Sequence, residues 1–189
     1  LRTQSARALV WLTSAKLINQ LFSWFVTILL ARLLAPSDYG LIAIAWLFIG
    51  FLDLMGTFGT GAAIIQKKDI DKYDLHSTFW FSIVLGLAYY GCIYFAAPYI
   101  AAYFENEKVV GVLRTLGLTF LIVAFRTVPF NMLTKELKMD KRSAAEVFSI
   151  VAGGLCSIGF ALAGAGVYSL VYGTLIRNIA QVAGTYYFY

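Results

Sequence analysis

The chain has 189 residues, of which 60% are hydrophobic and only 13% charged, with a formal net charge of +5. Soluble domains carry about a quarter charged residues, and no long apolar segment here has the charged stripe of a helix that faces water. The composition therefore excludes a soluble globular domain. The lysines and arginines fall mainly between apolar runs, which disfavours a nucleic-acid partner.

Six apolar segments are long enough to cross a bilayer, which takes about 20 residues per helix. The predicted spans are residues 9–31, 39–65, 77–100, 109–132, 144–163 and 167–189. Pro36 marks the turn after the first span, Pro129 lies near the end of the fourth, and Gly164 and Gly166 predict a tight turn before the last. The predicted fold class is an all-α membrane protein, a bundle of about six transmembrane helices.

Basic residues cluster at alternate ends of the predicted spans. They are Arg2 and Arg7 before the first span, Lys67, Lys68 and Lys72 after the second, and Lys135, Lys138, Lys141 and Arg142 in a charged loop after the fourth. The other connections carry only Arg32 and Lys108. Positive charge marks the cytoplasmic side, so we expect a multi-pass protein with a cytoplasmic N-terminus.

The first span carries polar residues on one helix face. Lys16 and Gln20 lie at steps of three and four with Ser23 and Thr27, and Asn19 is beside them. A charge at the centre of a membrane helix costs about 2.5–3.5 kcal/mol on insertion scales, which favours a stripe that faces a cavity. Snorkelling of Lys16 to the headgroups remains the alternative, because Lys16 lies within two turns of the start of the span.

Charged residues also lie inside later spans. Arg177, with Gln181 one turn further on, is close to the middle of the sixth span, and Arg126 lies nearer the end of the fourth, where headgroup contact is the alternative. Asp53 lies halfway along the second span and is a candidate for ion coupling or for a counter-ion. A purely structural pair between Asp53 and an arginine therefore stays open.

The fifth span has a different pattern, a small residue at every fourth position. These residues are Ser149, Gly153, Ser157, Ala161 and Ala165. Small residues at this spacing allow two membrane helices to approach closely. We therefore assign this ridge to helix packing.

Catalysis has little support in the sequence. His76 is the only histidine, and neither a nucleophile elbow nor a paired-carboxylate site accompanies it. No carboxylate cluster is suited to a metal. We therefore predict no catalytic residue, no metal and no cofactor, and a protein that is not an enzyme.

Several short motifs resemble one bacterial family. The segment Leu30-Ala-Arg-Leu-Leu-Ala-Pro-Ser-Asp-Tyr-Gly40 is similar to the Arg-x-Leu-x-Pro-x-Asp-Phe/Tyr-Gly pattern of polysaccharide exporters. Residues 61–66, 77–80, 128–133 and 164–171 resemble the same family in order and spacing. The chain thus resembles the Wzx-like, lipid-linked oligosaccharide flippases of the multidrug/oligosaccharidyl-lipid/polysaccharide exporter superfamily over essentially its whole length.

This resemblance implies the N-terminal lobe of a two-lobed transporter in the bacterial inner membrane. The chain begins on Leu1 and stops within an apolar run, so we expect a second lobe beyond Tyr189. The implied substrate is an undecaprenyl-pyrophosphate-linked sugar repeat, moved by alternating access. Membrane lipids, a polysaccharide polymerase and chain-length machinery are the other partners expected.

Relatives in this family expose a cationic cavity to the anionic headgroup. The candidates here are Arg177, Arg126 and Lys16, with Asn19, Gln20 and Gln181 as polar neighbours. They are chosen on physical grounds, since none of the cations matches a family motif. An exporter of small drug-like molecules from the same superfamily is one alternative, although such a site favours buried acids, and a membrane-embedded transferase is another.

Overall fold

The computed structural model describes residues 2–57, 72–135 and 139–188, and all regular elements in these ranges are α-helices. In chain order they are α1 (Arg2–Leu33), α2 (Pro36–Thr57), α3 (Lys72–Tyr103), α4 (Lys108–Lys135), α5 (Met139–Leu162) and α6 (Val167–Phe188). Each predicted span overlaps one helix, and several helices begin or end some residues away from the predicted bounds. The end of the second predicted span, residues 58–65, lies outside the described residues.

Four of these helices are long and apolar enough to cross a membrane. The qualifying segments are Pro36–Leu54, Leu75–Tyr103, Lys108–Lys135 and Asp140–Leu162. Large apolar side chains also cover the outside of the described bundle, among them Trp24, Phe51 and Phe95, each more than half exposed. Exposed apolar surface on this scale fits lipid rather than water, so the chain is an all-α, multi-pass membrane protein. A membrane crossing by α1 and by α6 stays a prediction.

The junction between α1 and α2 shows why the chain turns at the Leu30–Gly40 motif. Pro36 is the first residue of α2, where a missing backbone N–H has no cost. The Asp38 carboxylate accepts a hydrogen bond from the backbone N–H of Ala35 at 3.2 Å, as in a capping box. The motif therefore encodes the start of a helix.

The best-buried apolar side chains lie at one end of the bundle. At this end α3 terminates and α2, α4 and α6 begin. The cluster consists of Leu41, Ile42, Ala45 and Ile49, of Ile93, Ala97, Ile100 and Ala101, of Val109, Val112, Leu113, Leu116 and Phe120, and of Val167 and Val171. This end is packed like a protein interior.

The most extensive helix contact is between α5 and α6, and the small-residue ridge predicted in the fifth span carries it. A Cβ atom built on Gly153 would lie 2.6 Å from the Cβ of Arg177 and 2.8 Å from the carbonyl oxygen of Gly173. Ser149 and Ser157 on the same ridge are buried. The packing role of the ridge is confirmed.

The turn between α5 and α6 depends on two glycines. Gly164 and Gly166 have φ angles of 79° and 55°, in the left-handed region that side chains other than glycine rarely adopt. The predicted tight turn is confirmed, and it sets α6 antiparallel to α5.

The predicted charged loop from Lys135 to Arg142 is wrong in its extent. Helix α4 continues to Lys135, and α5 already begins at Met139, so Lys141 and Arg142 belong to the first turns of α5. Lysine and arginine are good helix formers, and Asp140 in the first turn favours a helix N-terminus. Residues 136–138 lie outside the described ranges.

Candidate functional site

A cavity of about 290 Å³ lies between α2, α4 and α6. We call it the arginine cavity, because both intramembrane arginines singled out in the sequence line it. Its lining residues are Trp46, Ile49, Gly50 and Asp53 from α2, Thr119, Phe120, Val123 and Arg126 from α4, and Thr174, Arg177, Asn178 and Gln181 from α6.

Helical periodicity explains how the polar groups converge. Thr174, Arg177 and Gln181 follow each other at steps of three and four, which places them on one face of α6. Because α2, α4 and α6 all run in the same direction, Asp53 and Arg126 meet Gln181 in the second half of each helix. Three parallel stripes therefore form one polar wall.

Both guanidinium groups of the arginine cavity lie in the same lining as a single carboxylate. Among the described lining residues, the charged side chains are Arg126, Arg177 and Asp53. The two arginines repel each other, while Asp53 attracts Arg126 through space. The Oγ1 atom of Thr119 is buried there without a hydrogen-bond partner. The described lining therefore carries two cationic side chains and one acidic one, and this excess of positive charge suits an anionic ligand.

Other polar groups of this wall are occupied by their own helix. The Asn178 amide donates to the Thr174 carbonyl at 2.9 Å, and the Thr174 hydroxyl donates to the Leu170 carbonyl at 2.8 Å. These side chains shape the wall and keep acceptor oxygens for a ligand. The guanidinium groups are thus its strongest uncommitted donors.

A second cavity, of about 350 Å³, adjoins the first between α1, α2, α5 and α6. The two share Trp46, Thr174 and Arg177. Helix α1 contributes Ser23 and Thr27 from the polar face that the sequence predicts. We call this space the hydroxyl cavity, because serine, threonine and tyrosine side chains supply most of its polar groups. Arg177 stands where the two cavities meet.

The chain matches the model of one family. This family is described as polysaccharide biosynthesis protein, and the match covers residues 29–189. The chain belongs to this family. The matched region begins near the end of α1 and includes every residue that lines the arginine cavity.

The chain is also similar to individual proteins of known name. The chain is 25% identical over 129 residues to the lipopolysaccharide biosynthesis protein WzxC of Escherichia coli (strain K12), which covers 68% of this chain and 26% of WzxC. It is 26% identical over 164 residues to the succinoglycan biosynthesis transport protein ExoT of Rhizobium meliloti (strain 1021), covering 86% of this chain and 33% of ExoT. No solved structure matches the chain significantly.

A third relative is the teichuronic acid biosynthesis protein TuaB of Bacillus subtilis (strain 168). The chain is 32% identical to it over 101 residues, which are 53% of this chain and 21% of TuaB. The chain therefore spans between about a fifth and a third of the length of these relatives.

The structure brings together four of the predicted site residues of this family member. Arg177, Arg126, Asp53 and Gln181 line one cavity. Asn19 is half-buried and Gln20 exposed, and neither lines either cavity. The side chain of Lys16 lies outside the described residues. Substrate contact by any of the six predicted binding residues remains a prediction.

Phe130 and Arg142 are two candidates that the sequence does not single out for the site. The guanidinium carbon of Arg126 lies 4.7 Å from the centroid of the Phe130 ring, and that of Arg142 lies 4.3 Å from the same centroid. The sequence predicts Arg142 in a loop, as a marker of the cytoplasmic side. The spacing of Phe130 one turn after Arg126 was the one available signal.

Proposed function

We propose that the chain is the first lobe of a polysaccharide exporter that moves a lipid-linked oligosaccharide across the bacterial inner membrane. The arginine cavity is the observation that carries this proposal, because two guanidinium groups and only one carboxylate line it among the described residues. The family match and the printed names of WzxC and ExoT support a role in polysaccharide biosynthesis and transport.

The proposed ligand of the two arginines is the pyrophosphate of an undecaprenyl-linked sugar repeat. Arginine presents a planar fork of donors that matches phosphate oxygens, and such charge-assisted pairs are among the strongest hydrogen bonds. A buried cation costs free energy unless an anion compensates it. The substrate therefore supplies negative charge to Arg126 and Arg177 in addition to that of Asp53.

Translocation proceeds by alternating access between this lobe and a second lobe, without a covalent step. Exporters of this kind hold the substrate at the interface of two repeats that rock around it. The N-terminus is cytoplasmic, so the cavity receives the headgroup from the cytoplasm. Asp53, which lines the same wall, is the candidate for ion coupling. A polymerase and chain-length machinery act on the exported repeat.

Two other functions fit the cavity less well. An exporter of cationic drug-like molecules would be opposed by two arginines against one acid. A membrane-embedded transferase needs an acid–base pair, and His76 is exposed on α3 and lines neither cavity. The proposed function is therefore transport.

Replacing both arginines tests the proposal. The double variant R126A/R177A is made in the full-length protein, and surface polysaccharide is measured at equal protein level. We expect export to fall by at least about tenfold, because each hydrogen bond to a charged group contributes about 1.5–3 kcal/mol.

Arg114 provides the matched control. It also lies on α4, but its guanidinium carbon lies 4.0 Å from the centroid of the Tyr94 ring, and it lines neither cavity. R114A should therefore leave export nearly unchanged. Wild-type export in R126A/R177A would rule out the cationic site.

A further inference from the structure

The ring of Phe130 is shared by two arginines from different helices. Arg126 precedes it by one turn of α4, and Arg142 reaches it from α5. Their guanidinium carbons lie 4.7 and 4.3 Å from the ring centroid. Stacking on an aromatic face is a favoured arrangement for a guanidinium. The ring of Phe130 therefore contacts two cations at once.

A short hydrogen-bond chain fixes Arg142 in this place. Its Nη1 atom donates to the Thr134 hydroxyl at 3.1 Å, and that hydroxyl donates to the Phe130 carbonyl oxygen at 3.0 Å. Arg142 is therefore tied to the same turn of α4 that carries the ring. Its remaining guanidinium N–H groups stay available, because a guanidinium has five such donors.

Arg126 feels charges of both signs. Among the described residues, Arg142 and Arg177 repel it, while Glu146 and Asp53 attract it. An anion bound between Arg126 and Arg142 would offset the repulsion between these two cations.

We propose that Arg126 and Arg142 form an outer anion site that binds the diphosphate of the substrate before Arg177 does. This inference rests on the proposed function. Arg126 belongs to both places, since it stacks on Phe130 and also lines the arginine cavity with Arg177. The diphosphate exchanges Arg142 for Arg177 while Arg126 keeps hold of it. The three arginines thus form a path from the α4–α5 end of the bundle into the cavity.

Binding of inorganic pyrophosphate to the purified full-length protein in neutral detergent tests this site. Affinity is measured by calorimetric titration for the wild type and for R142Q, which removes the charge at similar size. We expect R142Q to bind pyrophosphate at least about tenfold more weakly, because one charge-assisted contact is lost. R114Q, which removes an arginine that stacks on Tyr94, should bind like the wild type.

A second variant distinguishes a binding role of Arg142 from a structural one. T134V removes the hydrogen bond that holds Arg142 but keeps the charge, so it should lose less affinity than R142Q. An equal loss of affinity in both variants would assign Arg142 to helix packing and overturn the proposal.

Competition by inorganic phosphate tests whether the site binds a diphosphate. Inorganic phosphate should compete poorly with pyrophosphate for the site. Competition as strong as that of pyrophosphate would indicate a single phosphate, as in an ordinary phospholipid headgroup, and would overturn the diphosphate assignment.

The remaining outcomes are also decisive. Wild-type affinity in R142Q, or no pyrophosphate binding by the wild type, overturns the outer site. Weaker pyrophosphate binding by R142Q together with unchanged surface polysaccharide supports the site and counts against its place in export. Failure of the proposed function is thereby distinguished from failure of this inference.

Discussion

At the scale of one residue, Asp38 shows what an acidic position of the family motif does physically. Its carboxylate closes the first turn of α2 through the Ala35 N–H and lies against Gly166 in the turn between α5 and α6. A negative charge at a helix N-terminus is favourable in itself. The Asp of the motif therefore acts on the fold, at a distance from both arginines.

Removing the carboxylate of Asp38 should lower stability. We expect D38A to reduce the free energy of unfolding by about 1 kcal/mol, the usual effect of losing a helix cap. The measurement is the midpoint of thermal unfolding of the detergent-solubilised full-length protein. D38N, which keeps an acceptor oxygen, should retain most of the stability.

Ser37 supplies the control for this prediction, since it is exposed in the same turn. S37A should leave the midpoint almost unchanged. If D38A unfolds at the same temperature as S37A, the capping role of Asp38 is wrong.

The predicted site residues show how far sequence reasoning reaches at this scale. The charges of Arg126 and Arg177 were conspicuous because they stand in apolar spans, and the structure places both in one cavity. Gln20 belongs to the spaced polar series of the first span and Asn19 lies beside it, but neither residue lines either cavity. Periodicity indicates which residues share a face, but it does not determine what that face contacts.

At the scale of elements, the contact between α5 and α6 positions Arg177. Gly153 lies against the backbone of α6 at Arg177 and Gly173, and Gly154 on the neighbouring face lies against Phe22 of α1. Small side chains are what allow α5 to approach both helices. The wall of the arginine cavity at Arg177 therefore depends on Gly153, which does not itself line that cavity.

A methyl group at Gly153 should separate α5 from α6. The new Cβ would lie 2.6 Å from the Cβ of Arg177, and overpacking of this kind costs about 1–3 kcal/mol. We expect G153A to lower the midpoint of thermal unfolding and to reduce export with it.

Gly159 on the same helix provides the comparison, because no atom lies within 4 Å of a Cβ built there. G159A should be neutral or slightly stabilising, since alanine favours a helix by about 0.5–1 kcal/mol over glycine. Equal unfolding midpoints for G153A and G159A would contradict the close contact.

At the scale of the whole molecule, the orientation of the bundle decides which solution reaches the arginine cavity. Its polar lining residues Asp53, Arg126 and Gln181 lie in the second halves of α2, α4 and α6, whereas the apolar cluster packs the beginnings of these helices. The distribution of lysine and arginine predicts that the opposite end, where α5 begins, is cytoplasmic. The cavity should therefore face the cytoplasm.

Labelling of single cysteines tests this orientation. The full-length protein is made without native cysteines and with E107C or D140C, both at exposed positions. In intact cells a membrane-impermeant maleimide should label E107C and should label D140C only after permeabilisation. Labelling of both variants in permeabilised cells is the control, and labelling of D140C from outside would reverse the predicted topology.

The membrane environment, the helices and the family could all be inferred from the sequence. Apolar runs of membrane length require helices, because lipid offers no partner to an unpaired backbone group, and the short motifs around Pro36 and Gly164 specify turns that depend on local geometry. These features survive in the structure because they depend on neighbours along the chain.

Which polar groups lie next to each other could not be inferred without the packing of the helices. Arg142 lies near Arg126 because α5 begins at Met139, earlier than the predicted loop allows. Both guanidinium groups contact the ring of Phe130. The meeting of Arg126 with Arg177 required α4 and α6 to pack in parallel around α2. Such contacts depend on how helix faces interlock across long sequence separations, and the periodicity of one helix carries no information about its partner.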